Sequence, residues 1–141
     1  SSRLQYLGLA SALKDLCDKL AAQHHLTIEL SVDCPLNRLP ESVELCMYRI
    51  AQEALSNVVK HSGGTTAFVK IAMCGKTVSL CVADDGLGFD TTAVRGGIGL
   101  TSIRERLRLV GGELFIKSSA ETGTELVAEI HLPARKAGAS D

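Results

Sequence analysis

The stretch Val82–Asp90, VADDGLGFD, decides how this chain is read, because a strand runs into it and two carboxylates and two glycines follow at once. Upstream, Thr77–Ala83 alternates, with Val78, Leu80 and Val82 on one face of a predicted strand. A carboxylate at a strand end, here Asp84, is a fixed hydrogen-bond acceptor. Gly86 and Gly88 lack a Cβ, so the backbone there can turn sharply and a flat ligand can approach closely. The combination suits a purine whose exocyclic amine needs an acceptor, with Asp84 better placed than Asp85. The same residues also make an ordinary acidic turn, and the motif alone does not choose between the two.

Two flanking segments give it company. On the N-terminal side, Glu41–His61 has helical periodicity, with Val43, Met47, Ile50, Ala51, Ala54 and Val58 on one apolar arc. Arg49, Glu53, Asn57, Lys60 and His61 fall on an adjacent arc. Asn is a weak helix former, and this one lies four residues after Glu53 and just before Lys60 and His61. A carboxylate, an amide oxygen, an ammonium and an imidazole so spaced can hold a hydrated Mg²⁺ and its phosphates, or can simply be a solvated polar face. On the C-terminal side, Gly96-Gly97-Ile98-Gly99-Leu100 opens into a helix, Leu100–Val110, with Leu100, Ile103, Leu107 and Val110 buried. Unpaired N–H groups after a glycine-rich turn make an anion site, although a bare linker has the same composition.

Farther out, Gly8–His24 is an amphipathic helix with Leu9, Leu13, Leu16, Cys17 and Leu20 inward, closed by His24 and His25. Leu26–Val32 is a half-buried strand, and Asp33–Pro40 is a loop whose Pro40 can start the next helix. Thr65–Cys74 and Lys76–Asp84 form a hairpin through Gly75. Glu113–Ser119 and Thr124–Leu132 form another, with Leu126, Ala128, Ile130 and Leu132 on one face. A length of 141 residues fits one domain with a genuine core. The net charge of -1 and the lack of a concentrated basic face give no sign of a nucleic-acid partner, and no apolar run is long enough to span a bilayer. The five Cys contain no CxxC pair and read as small buried hydrophobes in a reducing, cytoplasmic setting.

Four signals therefore occur in one order: Glu-x-x-x-Asn with Lys-His, Asp-x-Gly-x-Gly, Gly-x-Gly-Leu, and Gly-Thr opening a strand. This order resembles the ATPase domain shared by gyrase, its heat-shock chaperone relative, histidine kinases and mismatch-repair MutL. QEALSNVVKHSG, DDGLGFD and GIGLTSIRERLRLVGG resemble in particular the sensor histidine kinases related to nitrate sensors and desaturase thermosensors. The likeness covers about Leu7 to Pro133. It implies an α/β (α+β) two-layer sandwich of the Bergerat type: about five mixed, mostly antiparallel strands covered on one face by three helices.

Position by position, the resemblance implies that Asp84 accepts the adenine amine above a floor shaped by Gly86 and Gly88. Asn57 would ligate Mg²⁺, and Glu53 would be catalytic, orienting water or polarising the reacting group. Lys60 and His61 would contact phosphate, Gly97, Gly99 and Leu100 would form the phosphate side of a short lid, and Thr124 would bond near the adenine. The implied function is to bind Mg-ATP and donate its γ-phosphoryl group to a histidine on a separate dimerisation domain, in a pathway ending at a response regulator. Two departures stand out. The last glycine box has Glu121 and Thr122 where a further Gly is common, and nothing before Gly8 resembles the phosphoacceptor helix. Residues 1–7 are therefore expected to be the remnant of a connection, 8–133 a monomeric cytoplasmic catalytic domain and 134–141 a tail, the resemblance leaving open whether the parent is anchored in a membrane. The rival functions are an anti-sigma-factor-type serine kinase and a nucleotide-binding module without kinase activity.

Overall fold

The computed structural model of the chain describes residues 2–33, 39–62, 65–86, 98–119 and 121–133. Helix α1 (Ser2–His24) leads into β1 (Thr27–Val32), α2 (Glu41–Asn57) and a π-helical turn (Val58–Ser62). Then come the hairpin β2 (Thr66–Cys74) and β3 (Thr77–Asp84), helix α3 (Ile98–Leu109), and the hairpin β4 (Gly112–Ser119) and β5 (Gly123–His131). The five strands lie in one sheet in the order β1-β2-β3-β5-β4, with β1 and β2 parallel and the other pairs antiparallel. Three helices and a five-stranded mixed sheet are the expected fold.

Period-2 alternation explains which face is covered. Leu30, Val69, Val82, Leu126 and Ile116 are successive partners across all five strands, and Ile71, Leu80, Ala128 and Leu114 form the next row. These rows meet Leu9, Leu13, Met47, Ile50, Leu55, Ile103 and Leu107 from the helices in one core cluster. At roughly 1.5–3 kcal/mol for each large apolar side chain removed from water, this layer is the main stabilising element. The opposite face of the sheet leaves Phe68 and Phe115 about half exposed, and a shallow groove there, lined by Phe115, Lys117, Glu125, Val127 and Glu129, lies away from the polar groups discussed below.

Three expectations change. The helix predicted to run to His61 ends as an α-helix at Asn57, where the Val58 N–H is shared between the carbonyls of Ala54 and Leu55 before the wider turn begins. Hydrophobic periodicity cannot register such a widening over five residues. Helix α1 starts at Ser2, ahead of the predicted Gly8, and is broken at Gly8, whose φ of 81° and ψ of 174° are not helical. The cysteines also divide. Cys17 and Cys46 are buried, and burial pushes each thiol up to about 11. Cys74 is exposed at the end of β2 and Cys81 is half-buried on the outer face, while Cys34 lies outside the described residues. Among the described residues no helix is long and apolar enough to cross a membrane.

Candidate functional site

The alternation that buries Val78, Leu80 and Val82 continues one step further and turns Asp84 to the same face. Among the described residues Asp84 is the buried charged side chain, 8% exposed. A carboxylate in that position is costly unless hydrogen-bonded, and its Oδ1 accepts the Gly86 N–H at 2.8 Å. Asp84 thus closes its own turn. Asp85 behaves differently: it is exposed, and its Oδ1 accepts the N–H groups of Thr65 and Thr66, both at 3.0 Å.

The start of β5 lies against this turn. Gly123 has a φ of 80°, and a Cβ built on it would stand 2.2 Å from the Asp84 carbonyl oxygen and 3.1 Å from the Gly86 nitrogen. Both neighbours are main chain, so no rotamer change could make room. The sequence singles out Thr124 of the Gly-Thr pair, whereas the structure puts Gly123 against the turn. The Gly-Thr pair opening the strand was the available signal, but a contact between β5 and the end of β3 requires the sheet order. Thr124 itself pairs across the hairpin, its Oγ1 lying 2.7 Å from the Ser118 Oγ.

The second group of residues comes from α2 and α3. Glu53 and Asn57 sit one turn apart on the last part of α2, both half-buried. Gly99, expected in a loop, lies in the first turn of α3 and faces them: a Cβ on it would come 2.9 Å from Glu53 Oε2, 3.4 Å from Asn57 Oδ1 and 3.5 Å from Asn57 Nδ2. The structure therefore brings Glu53, Asn57 and Gly99 together. Leu100, next to Gly99, is buried at 8% exposure, a packing position that anchors the start of α3 in the core. Arg49, from the same polar arc, is engaged elsewhere, donating to Gln52 Oε1 at 3.0 Å.

Lys60 is exposed on the π-turn, and this wider turn changes the direction in which it leaves the helix relative to Asn57. His61 belongs to the same turn, with its side chain outside the described residues, and Gly88, Gly97 and the predicted lid also lie outside them. Residues 42–136 match the histidine kinase-, DNA gyrase B- and HSP90-like ATPase family, a span that contains both groups of polar residues. The chain belongs to this ATPase family.

Its relatives agree with the match. The sensor histidine kinase NarS of Mycobacterium tuberculosis is 36% identical over 134 residues, covering 92% of this chain and 31% of that protein. The nitrate/nitrite sensor protein NarX of Escherichia coli is 31% identical over 121 residues, covering 85% of this chain and 20% of that protein. The chain thus spans a third or less of these curated relatives. The histidine kinase domain of the Erythrobacter litoralis EL346 blue-light activated histidine kinase superposes with a TM-score of 0.70 at 21% identity, over 86% of this chain and 64% of that one. At that identity the superposition speaks for the fold alone.

Proposed function

We propose that this ATPase-family domain binds Mg-ATP and donates the γ-phosphoryl group to a histidine on a separate dimerisation domain, within a kinase of the two-component type. The observation that carries the reading is the buried carboxylate of Asp84 at the end of β3, with main chain on both sides of its turn. A carboxylate can accept a hydrogen bond from an amine and cannot donate one, which favours adenine over a purine with a carbonyl at that position. Gly86 carries no side chain beside it, and Gly123, having no Cβ, lets the start of β5 close against the Asp84 main chain and hold the turn in place.

The phosphate side follows from the donor chemistry of α2. No cluster of three or more His, Cys, Asp or Glu able to hold a metal occurs among the described residues. Mg²⁺ does not need one, since it is held by one or two protein oxygens together with substrate phosphates and water. Asn57 Oδ1 is such a hard oxygen donor, with Glu53 beside it. When bound, Mg²⁺ would supply neutralisation of phosphate charge. Asn57 would orient the bound phosphates, Glu53 would align the incoming nucleophile or take its proton, and Lys60 with His61 would hold phosphate oxygens. Phosphoryl transfer requires little else from a protein than positioning and charge. On this reading the acceptor histidine lies in another domain of a longer kinase and the response regulator is a separate partner downstream; that the chain covers 31% of NarS and 20% of NarX supports a longer parent.

The test is labelling with γ-labelled ATP and Mg²⁺. The isolated chain should stay unlabelled, because His131 lies at the end of β5, bonded through Nδ1 to Thr77, and His24 and His25 close α1. Adding the dimerisation helices of the parent kinase should give label that survives base and is lost in acid, as a phosphoramidate is. Acid-labile label on the chain alone, abolished by His24→Ala or His25→Ala, would contradict the proposal. Measurable ATP binding without label on the added helices would favour a nucleotide-binding module.

A further inference from the structure

Asp85 carries the same charge as Asp84 and follows it directly, yet the structure uses it for something else. Where β3 leaves the sheet, the last ladder pair with β2 is Ala67 and Asp84. One residue further, the Asp85 N–H still donates to the Thr66 carbonyl at 3.2 Å. The return bond is made by the side chain: Asp85 Oδ1, in place of a main-chain carbonyl, accepts from both Thr65 and Thr66 at 3.0 Å. Thr65 is fixed on its other side too, since its carbonyl accepts the Thr27 N–H at 2.9 Å.

These contacts matter because of what precedes Thr65 in the chain. The segment arriving there comes from the end of α2 and the π-turn, the part that carries Asn57 and Lys60. A π-turn relaxes the regular i→i−4 ladder, so the helix alone does not fix the exit of the chain. Two N–H groups bonded to one carboxylate oxygen fix it from the far side, and bonds to an ionised acceptor are about twice as strong as neutral ones. The Thr66 N–H foremost, with the Thr65 N–H and hydroxyl adding and desolvation opposing, holds the Asp85 carboxyl below the usual carboxylate range.

We propose that Asp85 is a positioning residue: it ties the chain leaving the Asn57–Lys60 segment to the Asp84 turn, and so sets the register between the phosphate-binding and purine-binding halves of the site. The proposal rests on the reading of Asp84 and Asn57 as nucleotide contacts. Asp85 itself touches no nucleotide in this account. Asp84 keeps its own supports, the Gly86 N–H and the start of β5, when Asp85 is altered. Loss of the Asp85 clamp should therefore loosen the phosphate half and spare the purine half.

Three proteins are compared: wild type, Asp85→Ala and Asp85→Asn. Amide hydrogen exchange without ligand reads the clamp, and titrations with Mg-ADP and with metal-free adenosine read the two halves. In Asp85→Ala, exchange at Thr65 and Thr66 should rise by about tenfold or more, as expected for losing two bonds to a charged acceptor. Mg-ADP should weaken by a similar factor, while adenosine changes less than about threefold, a shift under 1 kcal/mol. Asp85→Asn keeps an Oδ1 acceptor but not its charge, and should recover about half of both losses on a logarithmic scale. An equal fall for Mg-ADP and adenosine would mean that Asp85 acts through Asp84, and it would overturn the proposal. So would unchanged Mg-ADP affinity, or unchanged exchange at Thr65 and Thr66. A wild-type chain that bound neither ligand would instead refute the proposed function, with the exchange rates still deciding whether the clamp exists.

Discussion

At the strand end of the site, atoms are placed by main chain. Asp84 bonds the N–H of its own turn, and Gly123 of the neighbouring strand packs against its carbonyl. At the helix end, the corresponding work falls to side chains: Glu53 and Asn57 project from α2 toward the first turn of α3, just before the helix widens. The first arrangement offers a rigid edge suited to a flat base. The second offers side-chain oxygens, which on the proposed function would meet the phosphates and the cation. Two glycines express the difference, because each would put a Cβ into its half of the site, but against different kinds of atom.

Gly123→Ala should have the largest effect. The new Cβ would meet the Asp84 carbonyl, and alanine at a positive φ costs a further ~1–3 kcal/mol. Thermal melting should show a clear loss of stability, and ADP binding should fall by about a hundredfold or more, since each 1.4 kcal/mol is a factor of ten. Wild-type ADP affinity in this variant would break the contrast, by showing that the strand side yields.

Asn57→Ala comes next and separates the halves by ligand. Mg-ADP should weaken by about tenfold or more, as for loss of a contact to a charged group, while metal-free adenosine binds as before. An equal loss for both ligands, with a lowered melting temperature in the free chain, would assign Asn57 to helix packing instead.

Gly99→Ala should do least. Its Cβ meets the far end of the flexible Glu53 side chain, which can rotate aside. Alanine also favours a helix over glycine by ~0.8–1.0 kcal/mol, so the melting temperature should hold or rise. Mg-ADP affinity should fall by less than about tenfold, the worth of one displaced hydrogen-bonding contact. A loss as severe as that of Gly123→Ala would show the helix side to be equally rigid.

The contrast also explains what could be read from the sequence. The apolar arc Val43–Met47–Ile50–Ala54 and the alternation of β3 and β5 follow from local periods, and each of those side chains is buried as expected. Asp84 was legible because it continues a strand alternation into a glycine turn. Glu53 and Asn57 were legible because a spacing of four residues on a helix is local. Gly123 depends on which strands lie side by side, and a single sequence does not carry the order β1-β2-β3-β5-β4. Asp85 reaches Thr65 and Thr66 across a hairpin that the sequence does predict, but no periodic pattern shows that its side chain replaces a main-chain carbonyl as acceptor. The π-turn escaped for another reason. Val58 is buried and Lys60 exposed whether the turn is α or π, so the pattern of polarity is the same in both.

The account rests on Asp84 as the acceptor for the adenine amine, and calorimetric titration of ADP into wild type and Asp84→Asn tests it most directly. The substitution keeps size and shape but puts a neutral amide where a charged acceptor stood. Loss of one charge-assisted bond, worth roughly 1.5–3 kcal/mol, should weaken ADP by about ten- to a hundredfold. Asp85→Asn serves as the neighbouring comparison and should lose far less. Equal ADP affinity for Asp84→Asn and wild type would contradict the central claim.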